Sequence, residues 1–111
     1  MSMTNPVPFS VADYKSPFGL DREMGFTRKE FFKVLPRAFS DYIYEINDNL
    51  IKIELEKGIV LIEIGDERER RYTDYVYFPI LPVNINFVNV DDNGQSRFLR
   101  KFDASYMKGL A

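Results

Sequence analysis

Residues Leu50 to Ile64, LIKIELEKGIVLIEI, decide how this chain folds. Apolar and charged residues alternate on both sides of Lys57-Gly58, the pattern of two half-buried strands joined by a tight turn. With a two-residue turn there, Leu55 faces Val60, Ile53 faces Ile62, Lys52 faces Glu63 and Ile51 faces Ile64. Successive side chains of a strand point to opposite faces, so Ile51, Ile53, Leu55, Val60, Ile62 and Ile64 share one face. A one-residue slip would carry glutamates onto it, so the register is expected to be firm. Lys57 suits the positive φ of such turns less well than Asn or Asp, so a slightly longer loop stays open.

The pattern continues backwards. Asp48-Asn49 tolerates positive φ, and a two-residue turn there sets Ile46 against Ile51, Glu45 against Lys52 and Tyr44 against Ile53. Tyr42, Tyr44 and Ile46 then join the buried face. On the other face Lys52 is expected between Glu45 and Glu63, each pairing contributing roughly 0.2–1 kcal/mol.

Outside this meander the chain carries two helix signatures. Thr27 with Glu30 three residues on is a capping box, flanked by Phe26 and Phe31 as a hydrophobic staple. Phe31, Leu35, Ala38 and Phe39 recur at helical spacing, and Pro36 is expected to kink or split the helix near Val34. At the other end Asp92 and Gln95 approximate a second capping box, with Ser96 as an alternative start. Phe98, Leu99, Phe102 and Tyr106 line one face of that helix, and Gly109 suits the residue just past its end. Between strands and helix, residues 65–71 read as a charged loop or a protruding hairpin end. Tyr72 to Phe78 reads as a fourth strand, with Val76 and Phe78 inward and Thr73, Tyr75 and Tyr77 outward. Pro79 and Pro82 are expected to interrupt the ladder before a further strand over Val83 to Val90.

The order is an extended arm over 1–25, then one domain over 26–111. The fold class expected is α+β: a two-layer sandwich with a four- to five-stranded antiparallel sheet and two helices on one face. The arm holds Pro6, Pro8 and Pro17, which block regular structure, yet also Val7, Phe9, Val11, Tyr14 and Phe18. It is expected to lie on its own domain or on a second subunit. The overall pattern, and the ending RKFDASYMKG over residues 100–109, is similar to a family of small uncharacterised bacterial proteins. That resemblance implies the helix–strands–helix order and brings no function with it.

Composition narrows the chemistry. The 111 residues contain no Cys, no His and no Trp. Disulfides, thiol nucleophiles and the commonest general base and metal ligand are therefore excluded. No cofactor and no metal are expected, and catalysis is disfavoured. The net charge of −2 gives no global attraction to nucleic acid or anionic membrane. No apolar run approaches the roughly 20 residues that span a bilayer. No basic, then apolar, leader opens the chain, so a cytoplasmic protein is expected.

Three candidate surfaces follow. The first is the sheet face turned away from the helices, with Ile43, Ile59, Leu61, Tyr75 and Tyr77 at its centre and Glu45, Lys52, Glu54, Glu56 and Glu63 at its rim. An apolar centre with a charged rim is the anatomy of a protein interface. It points to a non-catalytic interaction or accessory protein, with a protein partner or a second copy forming a homodimer. The second is basic: Arg68, Arg70 and Arg71 with Arg97, Arg100 and Lys101, suited to an anionic ligand or nucleic acid. The third is the carboxylate set Glu63, Asp66 and Glu67, whose spacing matches no metal loop and reads as surface charge.

Overall fold

The structure is a computed structural model and describes residues 19–109. It is an α+β two-layer sandwich: one antiparallel sheet, with two helices against one of its faces. The strands are β1 (Leu20–Met24), β2 (Ile43–Asn47), β3 (Leu50–Glu54), β4 (Ile59–Ile64), β5 (Arg68–Arg71) and β6 (Tyr77–Val88). The helices are α1 (Arg28–Ala38) and α2 (Asp92–Gly109). The sheet runs β1-β6-β4-β3-β2, and β5 pairs with the first part of β6.

The Asp48-Asn49 turn forms as expected. Asp48 adopts φ 58°, and Glu45 lies opposite Lys52 and Ile46 opposite Ile51. The β3–β4 register differs from the expectation by two residues. The connection is a four-residue loop, 55–58, closed by Leu55 N–H donating to the Gly58 carbonyl at 3.1 Å. Ile53 therefore faces Val60, Ile51 faces Ile62, and Lys52 faces Leu61 rather than Glu63. Gly58 carries φ 88°, and a side chain there would overlap the carbonyls of Val88 and Asn89. In this loop Gly58 takes a positive φ and Lys57 does not, whereas a two-residue primed turn of type I′ would ask it of both. A slip of two preserves the side-chain parity, so Ile51, Ile53, Val60, Ile62 and Ile64 are all buried beneath the helices, and Leu55 packs at the margin. Ile46 does not join them: it sits beside the turn on the sheet's edge and is 48% exposed.

Residues 1–18 of the expected arm lie outside the described residues. Residues 20–24, also placed in the arm, form edge strand β1, with Arg22 and Met24 facing the helices and Asp21 and Glu23 the other way. Arg22 bridges to Asp103 of α2, and Met24 packs on the core. The short length and charges of β1 are what a sheet edge tolerates.

Thr27 caps α1 through a complete capping box: Glu30 N–H donates to Thr27 Oγ1 at 3.0 Å, and Thr27 N–H to Glu30 Oε1 at 2.8 Å. Pro36 does not split the helix near Val34. It falls in the last turn, where it removes a single ladder bond, and Leu35, Ala38 and Phe39 around it are all buried. Helix α2 starts one residue earlier than expected. Asp91 is the cap, its Oδ1 accepting from Gly94 N–H at 2.7 Å, and the helix continues through Gly109.

The helices lie antiparallel and are joined by rings. Phe31 stacks on Tyr106 at 4.6 Å, and Phe39, Phe98 and Phe102 stack with centroids 6.0–6.1 Å apart. The Tyr106 hydroxyl donates to the Phe31 carbonyl at 3.0 Å. Burial pushes the Tyr106 pKa far above its usual value, so it remains a donor.

Strand β6 runs unbroken through Pro79 and Pro82, where an interruption was expected. The N–H and C=O of one strand residue point to the same edge. The Pro82 carbonyl accepts from Gly65 N–H at 2.8 Å, so its ring occupies the donor position opposite 65–67, where β4 has ended and β5 has not begun. Pro79, an odd number of residues away, faces the other edge, beyond the last β1 pair, Met24–Leu81. Both prolines thus sit where no partner strand calls for their missing donor. The charged run, expected as a loop or a protruding hairpin end, supplies β5 of an exposed hairpin, and Tyr72–Val76, expected within a strand, is the turn between β5 and β6.

Candidate interaction surfaces

The β5–β6 hairpin projects past the helices, and every residue from Asp66 to Phe78 is exposed. Tyr72 is 66% exposed, Tyr75 92%, Tyr77 49% and Phe78 49%. The tip is nevertheless well defined. Thr73 Oγ1 accepts from Tyr75 N–H at 3.1 Å and Val76 N–H at 3.0 Å, and Tyr72 N–H donates to the Val76 carbonyl at 2.9 Å. A hydroxyl that takes two successive backbone donors fixes a turn locally. Tyr72 and Phe78 pack edge to face at 4.9 Å, and the Arg71 guanidinium lies 5.8 Å over Tyr77. A shallow depression of about 300 Å³ between the hairpin and the end of β1 is lined by Glu23, Met24, Gly25, Arg70, Tyr72, Phe78, Pro79 and Ile80.

The expected outer-face set is not brought together. Ile43, Ile59 and Leu61 lie on the helix-free face, on β2 and β4. Ile43 is 70% exposed, Ile59 half-buried and Leu61 only 2% exposed. Tyr75 and Tyr77 stand apart from them on the hairpin. Of the expected rim, Glu45, Glu54 and Glu56 are exposed, while Lys52 and Glu63 are half-buried.

The basic set divides likewise. Arg68 and Arg70 converge on Glu23, at 2.5 and 3.6 Å, and Arg71 pairs with Asp74 at 2.5 Å. Lys101 pairs with Asp41, its ammonium 4.9 Å over the Tyr42 ring, and Arg100 is exposed on α2. Arg97 borders an open groove of about 370 Å³ with Tyr42, Lys57, Asp91 and Phe98. Phe78, opposite Arg70, and Val88, at the groove's end of β6, are ten residues apart in one strand. At strand rise that is about 33 Å, so the two clusters do not form one site.

Of the carboxylate set, Glu67 has a structural partner. Glu67 accepts the Arg28 backbone N–H at 2.7 Å, closing the first turn of α1, as Asp91 does for α2. Among the described residues no three acidic side chains converge as a metal site. No helix among them is long and apolar enough to cross a membrane.

Tyr72, Thr73 and Phe78 were not singled out from the sequence. Their signal is the crowding of aromatic residues in YTDYVYF around a Thr-Asp turn pair, which alternation alone assigns to a strand. No protein family, curated protein or solved structure matches this chain, and the resemblance of residues 100–109 therefore adds nothing to the geometry.

Proposed function

We propose that the chain is a non-catalytic interaction protein whose contact surface is the β5–β6 hairpin. The observation that carries this reading is Tyr75, 92% exposed at the apex of a turn held by the Thr73 hydroxyl, with Tyr72, Tyr77 and Phe78 behind it. Tyrosine and phenylalanine concentrate in interface cores, and a preformed turn reduces the ordering cost of binding. The rings offer on the order of 500 Å² of unburied surface, given 150–250 Å² for a whole ring. A standard interface takes about 800 Å² per partner, so Arg68, Arg70 and the neighbouring depression belong to the contact as well. The partner is a protein; a second copy of the chain, giving a homodimer, is one form of it.

Two experiments on the full chain test this. A photo-cross-linking phenylalanine analogue at position 75 should yield a discrete adduct, and sedimentation should show whether that adduct is a self-dimer. The double substitution Tyr75→Ser, Tyr77→Ser, made without the cross-linker, should abolish association while the protein stays folded. Association that survives it defeats the reading. The arginine alternative makes the opposite forecast: low-salt binding of single-stranded oligonucleotides or phosphorylated ligands, lost in Arg70→Ala. The pairing of all three hairpin arginines with Glu23 and Asp74 counts against it.

A further inference from the structure

A sheet edge presents unpaired backbone donors and acceptors, and soluble proteins blunt such edges with charge, proline or a bulge. The edges of this sheet are not treated alike. β1, at one end, carries Asp21, Arg22 and Glu23, and β5 reads RERR. β2, at the other end, reads IYEIN, with no lysine, no proline and Glu45 as its single charge. Its isoleucines are exposed on both faces, Ile43 by 70% and Ile46 by 48%. Among the described residues no strand pairs with its outer side.

The phase of the ladder decides which backbone groups are left over. Ile64 N–H donates to the Asn49 carbonyl at 2.8 Å. Asn49, Ile51 and Ile53 therefore turn their backbone groups to β4, and Leu50, Lys52 and Glu54 turn theirs to β2. The residues opposite those three are Asn47, Glu45 and Ile43. Tyr44 and Ile46 thus point both N–H and C=O away from the sheet.

We infer that β2 pairs antiparallel with β2 of a second copy, about a two-fold axis at Tyr44, joining two sheets into one. The strand is complementary to itself, as an isologous contact requires. With Tyr44 opposite its counterpart, the two tyrosines exchange both backbone bonds, and each Ile46 N–H reaches the Tyr42 carbonyl across the axis. The Tyr42 N–H is already donated to the Phe39 carbonyl at 3.0 Å, which ends the ladder there. Ile46 meets Tyr42, while Ile43 meets Glu45 directly and the other Ile43 diagonally, so both exposed isoleucines gain cover. The neighbouring registers are worse. Centring on Glu45 sets two carboxylates opposite each other, and centring on Ile43 sets Asp41 against Glu45. Centring on Ile46 runs the strand into the turn at Asp48, whose φ is 58°. This inference stands independently of what the hairpin binds.

One short strand offers less than the about 800 Å² per partner of a standard interface. The full-length protein should therefore dimerise weakly, with a Kd on the order of 10–500 μM. Sedimentation equilibrium up to about 1 mM measures it, and a monomer throughout overturns the inference. Ile46→Pro removes an N–H that faces away from β3, so the circular dichroism should hold while Kd rises at least about tenfold. An unchanged Kd overturns the inference. Cross-linking tests the register in a chain that has no cysteine. Ile43→Cys mixed with Glu45→Cys should oxidise to a mixed disulfide, because the two positions lie directly opposite. Neither variant alone should do so, its counterpart lying beyond about 7 Å. A disulfide from Glu45→Cys alone marks the register with opposed carboxylates and overturns the pairing at Tyr44. Tyr75→Ser, Tyr77→Ser should leave this dimer intact, and its loss there would move the self-contact to the hairpin and overturn the inference. Association at the hairpin is scored in the Ile46→Pro background, where this dimer is absent, so the two failures are distinguishable.

Discussion

The two aromatic clusters of this protein use the same residue types to opposite ends. In the body, Phe31, Phe39, Phe98, Phe102 and Tyr106 are essentially inaccessible to water and stack in the seam between α1 and α2. On the hairpin, Tyr72, Tyr75, Tyr77 and Phe78 stay half to almost wholly exposed. Their intrinsic hydrophobicity does not distinguish them. What separates them is reach: both helices pack on β3, β4 and the second part of β6, and the hairpin begins where that cover stops. Rings in the seam contribute to the stability of the body, whereas rings on the hairpin stay largely in contact with water.

The comparison breaks first at the core. Phe102→Ala should lower unfolding free energy by about 3–5 kcal/mol, because Phe102 packs against Phe31, Phe39, Phe98 and Tyr106 together. Urea titration followed by circular dichroism measures it, and a loss under about 1 kcal/mol would mean the seam is not the core. A smaller cost is expected at the body's own turn. Gly58→Ala places a Cβ at φ 88° against the Val88 and Asn89 carbonyls, and should cost about 1–3 kcal/mol.

Tyr106 sharpens the contrast by chemistry rather than size. Tyr106→Phe removes only the hydroxyl that donates to the Phe31 carbonyl, and should cost about 1 kcal/mol. Burial holds the folded-state pKa above the unfolded value. The native state therefore keeps a proton that the unfolded chain releases, and this contribution is complete below about pH 10 and declines as pH rises beyond it. Urea midpoints followed from neutral pH to about pH 11 should fall more steeply for the wild type than for Tyr106→Phe. Parallel curves would place that hydroxyl in water.

How much of this was legible in the sequence depended on parity. Ile51, Ile53, Val60, Ile62 and Ile64 were assignable to one face because a two-residue change in register leaves faces unaltered, while it exchanges every cross-strand partner. Lys52 thus met Leu61 instead of Glu63. Thr27 with Glu30 and Asp48-Asn49 were legible because their chemistry is local. Strand β1 was not, because five residues between prolines and a helix cap carry too little alternation to mark an edge strand. The charged run could be read as a hairpin end, but its strand β5 and the turn after it were not legible, for a related reason. Arg68–Arg71 has no apolar alternation, since neither of its faces meets a core, and strand signals in sequence are signals of burial. The place suited to contact was hidden by the property that suits it.

The smallest expected change in stability belongs to Tyr75, and it is the most discriminating. With its ring 92% exposed, Tyr75→Ser should alter unfolding free energy by no more than about 0.5 kcal/mol. Its backbone N–H would still donate to Thr73 Oγ1, so the turn should persist, and amide chemical shifts at Thr73 and Val76 should hardly move. Thr73→Ala forms the matched control: it leaves every ring in place but removes the acceptor for two backbone donors, so the tip loses its fixed shape while the body keeps its stability. If the hairpin is a preformed contact, both variants should weaken association, Tyr75→Ser by losing contact area and Thr73→Ala by restoring the ordering cost. A Thr73→Ala protein that binds as well as the wild type would separate the rings from the turn that presents them.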